Sequence, residues 1–206
     1  MKKIIPVTTL FLDIGGVMLS NGWGHDSRKL AAEKFNLNLS ELEDRHHLTF
    51  VTYEEGKLTL KEYLNRVVFY KKRTFTHDQF QEFMFDQSTP YKGMIEFIIK
   101  LKELNRLKIA VVNNEARELN GHRIRKFKMN QFADFYISSC FVHFRKPDAD
   151  IFRIALDIAQ VPAEQVVYIE NTKMFVDVAR DLGIRSILHT DYKSTRSELS
   201  LLGLKI

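Results

Sequence analysis

The first hydrophobic segment of the chain is short and almost unbroken. It runs from Thr8 to Ile14, with Asp13 as its only ionisable residue, and it ends at Gly15 and Gly16. A run that is apolar on both faces is typical of a central strand in a parallel sheet. Glycines directly after a strand allow a tight turn, so the backbone can come close to a ligand there.

A different pattern follows, from about residue 25 to residue 87. Hydrophobic positions recur there at helical spacing, which indicates amphipathic helices. Three helix starts are marked by Ser or Thr with Glu or Gln three residues later, at Ser40, Thr59 and Thr76. The stretch is therefore expected to form roughly four helices and no strand.

From residue 91 onward, short apolar runs alternate with helical patterns. The expected strands in this part are residues 108–112, 134–139, 166–169 and 185–188. Strands that alternate with helices of about 10 to 15 residues predict βαβ units and a parallel sheet. The expected fold class is therefore α/β, a three-layer Rossmann-like core with an inserted all-helical cap subdomain. The core would comprise residues 1–20 and 88–206, and the cap residues 21–87.

Composition narrows the class of protein. With 206 residues, 45% of them hydrophobic, the chain can bury one full core. Its single cysteine, Cys140, excludes an intrachain disulfide and a multi-cysteine zinc site. No apolar run approaches the roughly 18 residues of a membrane span. The N-terminal apolar stretch stops at Asp13 without a small-residue cleavage site, which favours a cytoplasmic protein with no membrane partner.

The net charge of +5 fits either nucleic acid or a site for an anionic small molecule. Basic residues cluster at 70–73 and at 123–128. The first cluster is short, and the second matches the polar face of a helix that turns Ile124 and Phe127 inward. Both are interpreted as solvated surface, so nucleic acid is not expected as a partner.

Candidate chemistry lies at the ends of the expected strands. The polar residues there are Asp13 after the first strand, Asn113 and Asn114 after the second, Lys146 after the third, and Glu170 and Asn171 after the fourth. Open parallel sheets bind ligands at the carboxyl ends of their strands, near the switch in strand order. These side chains are therefore expected to converge.

The same residues resemble motifs of the haloacid dehalogenase-like hydrolase superfamily. Residues 10–17 (LFLDIGGV) resemble its first motif, residues 145–148 (RKPD) its third, and residues 166–171 (VVYIEN) its fourth. The motifs occur in the family's order. The helical insertion after the first motif resembles the small cap of one branch of that superfamily.

The resemblance implies a mechanism. Asp13 would attack the phosphoryl group and form an aspartyl-phosphate, which water then hydrolyses. Lys146 and Asn113 would be the further catalytic residues, holding the phosphoryl group and its charge. The implied ligands of Mg²⁺ are Asp13, the carbonyl of Gly15, Glu170 and Asn171. The expected substrate contacts are Gly16, Asn114 and Trp23.

The chain departs from the family pattern at three positions. Gly15 stands where many members have an aspartate that acts as general acid and base, so turnover should be slow unless a water or a cap residue substitutes. Asn113 replaces the usual Ser or Thr, and its amide can still donate to a phosphoryl oxygen. Asn171 replaces a second acid, which predicts weak Mg²⁺ binding, in the high micromolar to millimolar range at best.

Three functional hypotheses follow. The first is a Mg²⁺-dependent hydrolase of small phosphorylated metabolites, a phosphatase with weak activity that uses an aspartyl-phosphate on Asp13. The second is a degenerate member that binds a phosphorylated ligand or a protein partner with little turnover, because Gly15 and Asn171 lack carboxylates. The third is a metal-free 2-haloacid dehalogenase, which also uses an aspartate nucleophile. The expected oligomeric state is a monomer or a homodimer.

Overall fold

A five-stranded parallel sheet forms the centre of the computed structural model, which describes residues 5–206. Its strands are β1 (Thr9–Leu12), β2 (Lys108–Asn113), β3 (Phe135–Ser138), β4 (Val166–Glu170) and β5 (Arg185–Leu188). Their order in the sheet is β3-β2-β1-β4-β5, and every neighbouring pair is parallel. The parallel sheet predicted from the sequence is confirmed. Of the predicted core segment 1–20, residues 1–4 lie outside the described part.

Helices cover both faces of the sheet and form three layers with it. They are α6 (Lys92–Asn105), α7 (Arg117–Lys126), α8 (Ser139–Val142), α9 (Asp150–Ala159), α10 (Lys173–Asp181) and α11 (Tyr192–Leu201). Successive residues of a strand point to opposite faces. Leu10 and Leu12 accordingly pack with Ile98 of α6, whereas Phe11 packs with Phe152 of α9 on the other face.

Five helices lie between β1 and α6, in what is called here the helical segment. They are α1 (His25–Lys34), α2 (Leu39–His47), α3 (Phe50–Glu54), α4 (Leu60–Val67) and α5 (His77–Asp86). The pattern predicted about four helices; the difference is the short α3. Capping boxes at Thr59 and Thr76 are confirmed. The start predicted at Ser40 is wrong, because Asn38 caps α2 by accepting from the amide of Glu41.

The helical segment has a hydrophobic cluster of its own. Its central members include Leu64, Phe80 and the stacked pair Tyr53 and Tyr63, whose ring centroids are 4.3 Å apart. Ala116 and Leu119, at the start of α7, join the same cluster. The segment therefore packs over the edge of the sheet at which the strands end. No helix within residues 5–206 is long and apolar enough to cross a membrane.

Candidate active site

Asp13 follows β1 at the point where the strand order of the sheet reverses. The chain passes from β1 to β2 on one side and later returns to β4 on the other side of β1. Leu12 is paired with Ile169, so Asp13, which follows β1, lies level with Glu170, the last residue of the neighbouring β4. Ligands of open α/β sheets bind at such switch points.

Lys146 joins the two carboxylates. Its Nζ donates to Asp13 Oδ1 at 2.7 Å, to Glu170 Oε2 at 2.6 Å and to the hydroxyl of Tyr168 at 3.0 Å. Only 1% of Lys146, 7% of Asp13 and 1% of Glu170 is exposed. Charges removed from water to this extent are tolerated only when they are paired and hydrogen-bonded. These three residues, expected to converge from their positions near the strand ends, lie in direct contact.

Tyr168 belongs to the same cluster, although no sequence motif singled it out. Its hydroxyl also donates to Glu170 Oε2, and the residue is fully buried. A signal was available, because Tyr168 precedes Glu170 by two residues on β4 and side chains at that spacing lie on one face of a strand.

Burial perturbs the titration of this cluster. It raises the pKa of Asp13 to about 6, and the ammonium of Lys146 opposes that rise. For Lys146 itself, burial lowers the pKa, but the carboxylates of Asp13 and Glu170 outweigh burial and keep it above its usual value. Lys146 therefore stays positively charged beside the carboxylate of Asp13.

Oxygen atoms that could hold a metal lie beside Asp13. In one orientation of its side-chain amide, Asn171 donates to the carbonyl of Gly15 at 3.3 Å and to Glu170 Oε1 at 2.9 Å; in the other, its own oxygen faces these two oxygens. Carboxylate, carbonyl and amide oxygens are the hard donors that suit Mg²⁺. Within residues 5–206, however, no three acidic, His or Cys side chains gather to hold an ion. The donors fit Mg²⁺, with little negative charge.

Gly16 makes room for Asn171. It adopts φ +80°, and a Cβ at this position would lie 2.1 Å from Nδ2 of Asn171. Gly16 is not among the residues that line the cavity described below. Its predicted contact with substrate stays a prediction.

The two asparagines after β2 have different surroundings. Asn113 is 2% exposed, its amide oxygen accepts from Ser138 at 2.7 Å, and its amide nitrogen donates to Asn120 at 3.4 Å. The structure does not bring Asn113 to the cavity, and its predicted contact with a phosphoryl group stays a prediction. Asn114 does line the cavity, and its amide holds the backbone N–H and carbonyl of Lys146, each at 2.8 Å.

A cavity of about 360 Å³ lies between the sheet edge and the helical segment. The sheet side contributes Asp13, Gly15, Asn114, Glu115, Lys146, Glu170 and Asn171, and the helical side contributes Arg28, His46, Phe50, Tyr53 and Glu54. Trp23, which precedes α1, also lines it. The helical residues were not predicted, because no motif or spacing relates them to the strand ends.

A chain of hydrogen bonds fixes the proton of His46. The indole N–H of Trp23 donates to the hydroxyl of Tyr63 at 2.8 Å, and that hydroxyl lies 2.7 Å from His46 Nδ1. An indole only donates, so the Tyr63 proton is available to Nδ1. Burial and the nearby Arg28 lower the pKa of His46 to about 4. His46 is thus neutral, with its own proton on Nε2.

One prediction about surface charge is wrong. Arg123, in the basic run 123–128, is only 2% exposed. It is bonded to the carboxylate of Glu115 and, through Nε, to the hydroxyl of Ser88 at 2.9 Å. Burial raises the pKa of Glu115 to about 7 although Arg123 opposes it. The helix period could not reveal this, because the partner of Arg123 lies outside its helix.

Comparison with known proteins gives a consistent result. A family model described as haloacid dehalogenase-like hydrolase matches residues 26–189. A phosphorylated carbohydrates phosphatase of Thermotoga maritima is 26% identical over 133 residues, which cover 65% of this chain and 57% of that protein. The chain thus matches little more than half the length of that relative.

Solved structures share the fold. A HAD family enzyme from Bacteroides thetaiotaomicron, in complex with magnesium and inorganic phosphate, has a TM-score of 0.76 and 17% identity, covering 92% of this chain and 98% of that one. A predicted HAD-like family hydrolase from Porphyromonas gingivalis has a TM-score of 0.77 and 15% identity, covering 98% and 100% of the two chains.

Proposed function

This chain belongs to the haloacid dehalogenase-like hydrolase family, and from this premise we propose that it is a Mg²⁺-dependent phosphatase of small phosphorylated molecules. The observation that carries the proposal is the buried contact of Lys146 with Asp13, 2.7 Å long, at the switch point of the sheet. A carboxylate ending a buried strand and held by a buried cation has the chemistry of a nucleophile beside a charge-stabilising group.

In the proposed reaction Asp13 attacks phosphorus. Lys146 holds Oδ1, while Oδ2 has no side-chain partner among residues 5–206 and can form the bond. The alcohol leaves, and water then cleaves the aspartyl-phosphate, which releases inorganic phosphate and restores Asp13. The ammonium of Lys146 is fixed before the reaction begins, so it stabilises the phosphoryl charge without reorganisation.

Asp13, the carbonyl of Gly15, Glu170 and Asn171 would hold Mg²⁺. When bound, the ion would neutralise charge on the phosphoryl oxygens. The Bacteroides enzyme, solved with magnesium and phosphate, supports this proposal. The neutral Asn171 and the competing ammonium of Lys146 support the expectation of weak binding.

The helical segment is proposed to act as a cap over the reaction site. Its side chains and those of the strand ends line one cavity of about 360 Å³, at the lower end of the usual range for small-molecule sites. A metabolite-sized phosphate ester fits this space better than a macromolecular substrate.

A panel of small phosphate esters, assayed with and without Mg²⁺, tests the proposal. Wild-type protein should release phosphate in Mg²⁺ and stop when EDTA is added, and Asp13→Asn should be inactive while folded by circular dichroism. Wild-type rates in Asp13→Asn would refute the nucleophile. Phosphate binding without turnover would instead support a degenerate binding protein, the second candidate, which the carboxylate-poor site favours.

A further inference from the structure

We propose that Glu54, from the helical segment, is the general acid and base of the reaction and supplies the side chain that Gly15 lacks. The inference rests on the proposed phosphatase function. It assigns the proton transfers to a carboxylate that the helical segment contributes to the cavity. It also predicts that the enzyme acts on esters whose alcohol must be protonated to leave.

The other acids that line the cavity are bound to side chains that are themselves buried. Glu170 Oε2 accepts from Lys146 and Tyr168, and its Oε1 accepts from the amide of Thr172 at 2.8 Å. Glu115 is bonded to the buried guanidinium of Arg123. Within residues 5–206, Glu54, Glu115 and Glu170 are the carboxylates besides Asp13 that line the cavity. The partners of Glu115 and Glu170 are themselves buried.

Glu54 differs from these two acids because its partner, Arg145, is partly exposed. Arg145 donates twice to a single oxygen, Oε2, from Nε at 3.0 Å and from Nη2 at 2.8 Å. Oε1 has no hydrogen-bond partner among the described residues, and the side chain is 25% exposed. One oxygen is therefore held while the other can meet a ligand or a water in the cavity.

The sheet part of the protein holds the backbone around Glu54. The hydroxyl of Ser139 donates to the carbonyl of Glu54 at 2.7 Å, and His143 Nδ1 donates to the next carbonyl at 2.7 Å. Gly56, at φ +70°, comes so close to α8 that a Cβ would lie 2.4 Å from a carbonyl of that helix. These contacts fix the end of α3 where Glu54 stands.

A covalent link ties this position to the nucleophile. Arg145, which holds Glu54, is followed directly by Lys146, which holds Asp13. Consecutive Cα atoms are about 3.8 Å apart. One loop therefore helps to position both carboxylates, which line the same cavity.

The charges around Glu54 suit proton transfer. Burial raises its pKa, and the facing cations Arg145, Lys146 and Arg28 limit that rise without cancelling it. A raised pKa brings a carboxyl closer to the neutral range in which general acids and bases work best.

The proton balance is as follows. As an oxygen of Asp13 bonds to phosphorus, the bond from phosphorus to the leaving oxygen breaks, its electron pair stays on that oxygen, and the proton of Glu54 moves there. The alcohol departs and Glu54 is left as a carboxylate. Water then enters from the vacated side, Glu54 takes its proton as the water oxygen attacks phosphorus, and Asp13 leaves as a carboxylate.

The test compares substrates that differ in their leaving groups. Glu54→Gln keeps an oxygen for Arg145 but cannot transfer a proton, so kcat on an alkyl ester such as glycerol phosphate should fall by at least about 100-fold. On p-nitrophenyl phosphate, whose leaving group departs without a proton, the first step should slow by less than about fivefold in single-turnover measurements.

Matched variants separate chemistry from folding. Glu55→Gln removes the neighbouring acid, which pairs with Lys57 at 2.8 Å and does not line the cavity, and it should leave both rates unchanged. If Glu54→Gln does not fold, Glu54→Asp keeps the acid on a shorter side chain and should show the same substrate selectivity.

Equal losses on the two substrates, or no loss, would overturn the assignment of Glu54. If Glu115→Gln, and not Glu54→Gln, selectively lost activity on the alkyl ester, the assignment would pass to Glu115. If wild-type protein hydrolyses neither ester, or Asp13→Asn stays active, the proposed phosphatase function fails instead, so the two failures are distinguishable.

Discussion

The ammonium of Lys146 lies in the interior between two carboxylates, 2.7 Å from Asp13 Oδ1 and 2.6 Å from Glu170 Oε2. Asp13 follows β1 and Glu170 ends β4, whereas Lys146 lies in the loop after α8, so its removal affects the fold and the chemistry together. Tyr168 adds a hydroxyl to the same group, but a hydroxyl carries no charge that could replace the ammonium.

Lys146→Met should leave two buried carboxylates facing each other. We expect the free energy of unfolding to fall by about 3 to 5 kcal/mol, as measured by denaturant titration, and hydrolysis to be lost. Lys173→Met is the matched control, because the side chain of Lys173 is 72% exposed in its pair with Asp177, and its loss should cost no more than about 0.5 kcal/mol. Equal effects of the two substitutions would contradict the prediction.

His46 makes the stability depend on pH. Its pKa is about 4 in the folded protein, below the ordinary value of 6.5, because of burial and Arg28. Between pH 4 and pH 6.5, His46 is therefore protonated in the unfolded chain but neutral in the folded protein. The contribution of the neutral His46 ring to the free energy of unfolding is complete above pH 6.5. It is lost as the pH falls towards 4.

Denaturant titrations at pH 7 and pH 5 measure this effect. Wild-type protein should lose on the order of 2 kcal/mol more stability between these two values than His46→Gln does. His47→Gln, at the exposed neighbouring position, is the matched control and should keep the wild-type slope. If the unfolding free energy of His46→Gln changed with pH as much as that of the wild-type protein, the ring would not titrate as described.

At the scale of elements, α3 illustrates how a helix of five residues acquires its position. Isolated helices this short are not stable in water, so contacts with the rest of the protein must hold it. Its sequence has no capping signal that would separate it from α2, which is why the hydrophobic pattern predicted about four helices instead of five. Its end is fixed by α8 and by the turn at Gly56.

Gly56→Ala should displace this turn. The position has φ +70°, and a Cβ would lie 2.4 Å from the carbonyl oxygen of Cys140. We expect a loss of about 2 to 4 kcal/mol in unfolding free energy, measured by denaturant titration, and reduced turnover.

Gly93→Ala provides the comparison. It lies in α6 with no atom within 4 Å of a new Cβ, so this change should instead stabilise the protein by up to about 1 kcal/mol. Wild-type stability in Gly56→Ala would mean that the turn can rearrange at little cost.

At the scale of the whole molecule, two parts with separate hydrophobic clusters share one cavity. The sheet part contributes Asp13, the proposed nucleophile, and Lys146, and the helical segment contributes Arg28, His46 and Glu54. A ligand bound in the cavity should stabilise the contact between the sheet part and the helical segment by mass action.

Hydrogen exchange with orthovanadate and Mg²⁺ tests this coupling. Backbone amides of α3 and of the loop 143–148 should be protected together when both are added, and neither should be protected in Asp13→Asn. A change confined to the loop would show that the helical segment does not close on the ligand.

Hydrophobic periodicity and residue positions relative to strand ends predicted much of this protein from sequence. The parallel sheet, its strands to within a residue or two, and the convergence of Asp13, Lys146 and Glu170 all follow from these local signals, because parallel strands end at one edge. Asn113 could not be located in the same way. Its bonds to Ser138 and Asn120 depend on side-chain directions in a packed interior.

The tertiary structure alone decided which residues of the helical segment line the cavity. Glu54 meets Arg145 across 91 positions of sequence, and Arg28 and His46 reach the cavity only because five helices pack over the sheet edge. Such contacts join distant parts of the chain, and no local period or spacing encodes them. The strand ends determine where the candidate site lies, whereas packing determines which side chains of the helical segment line it.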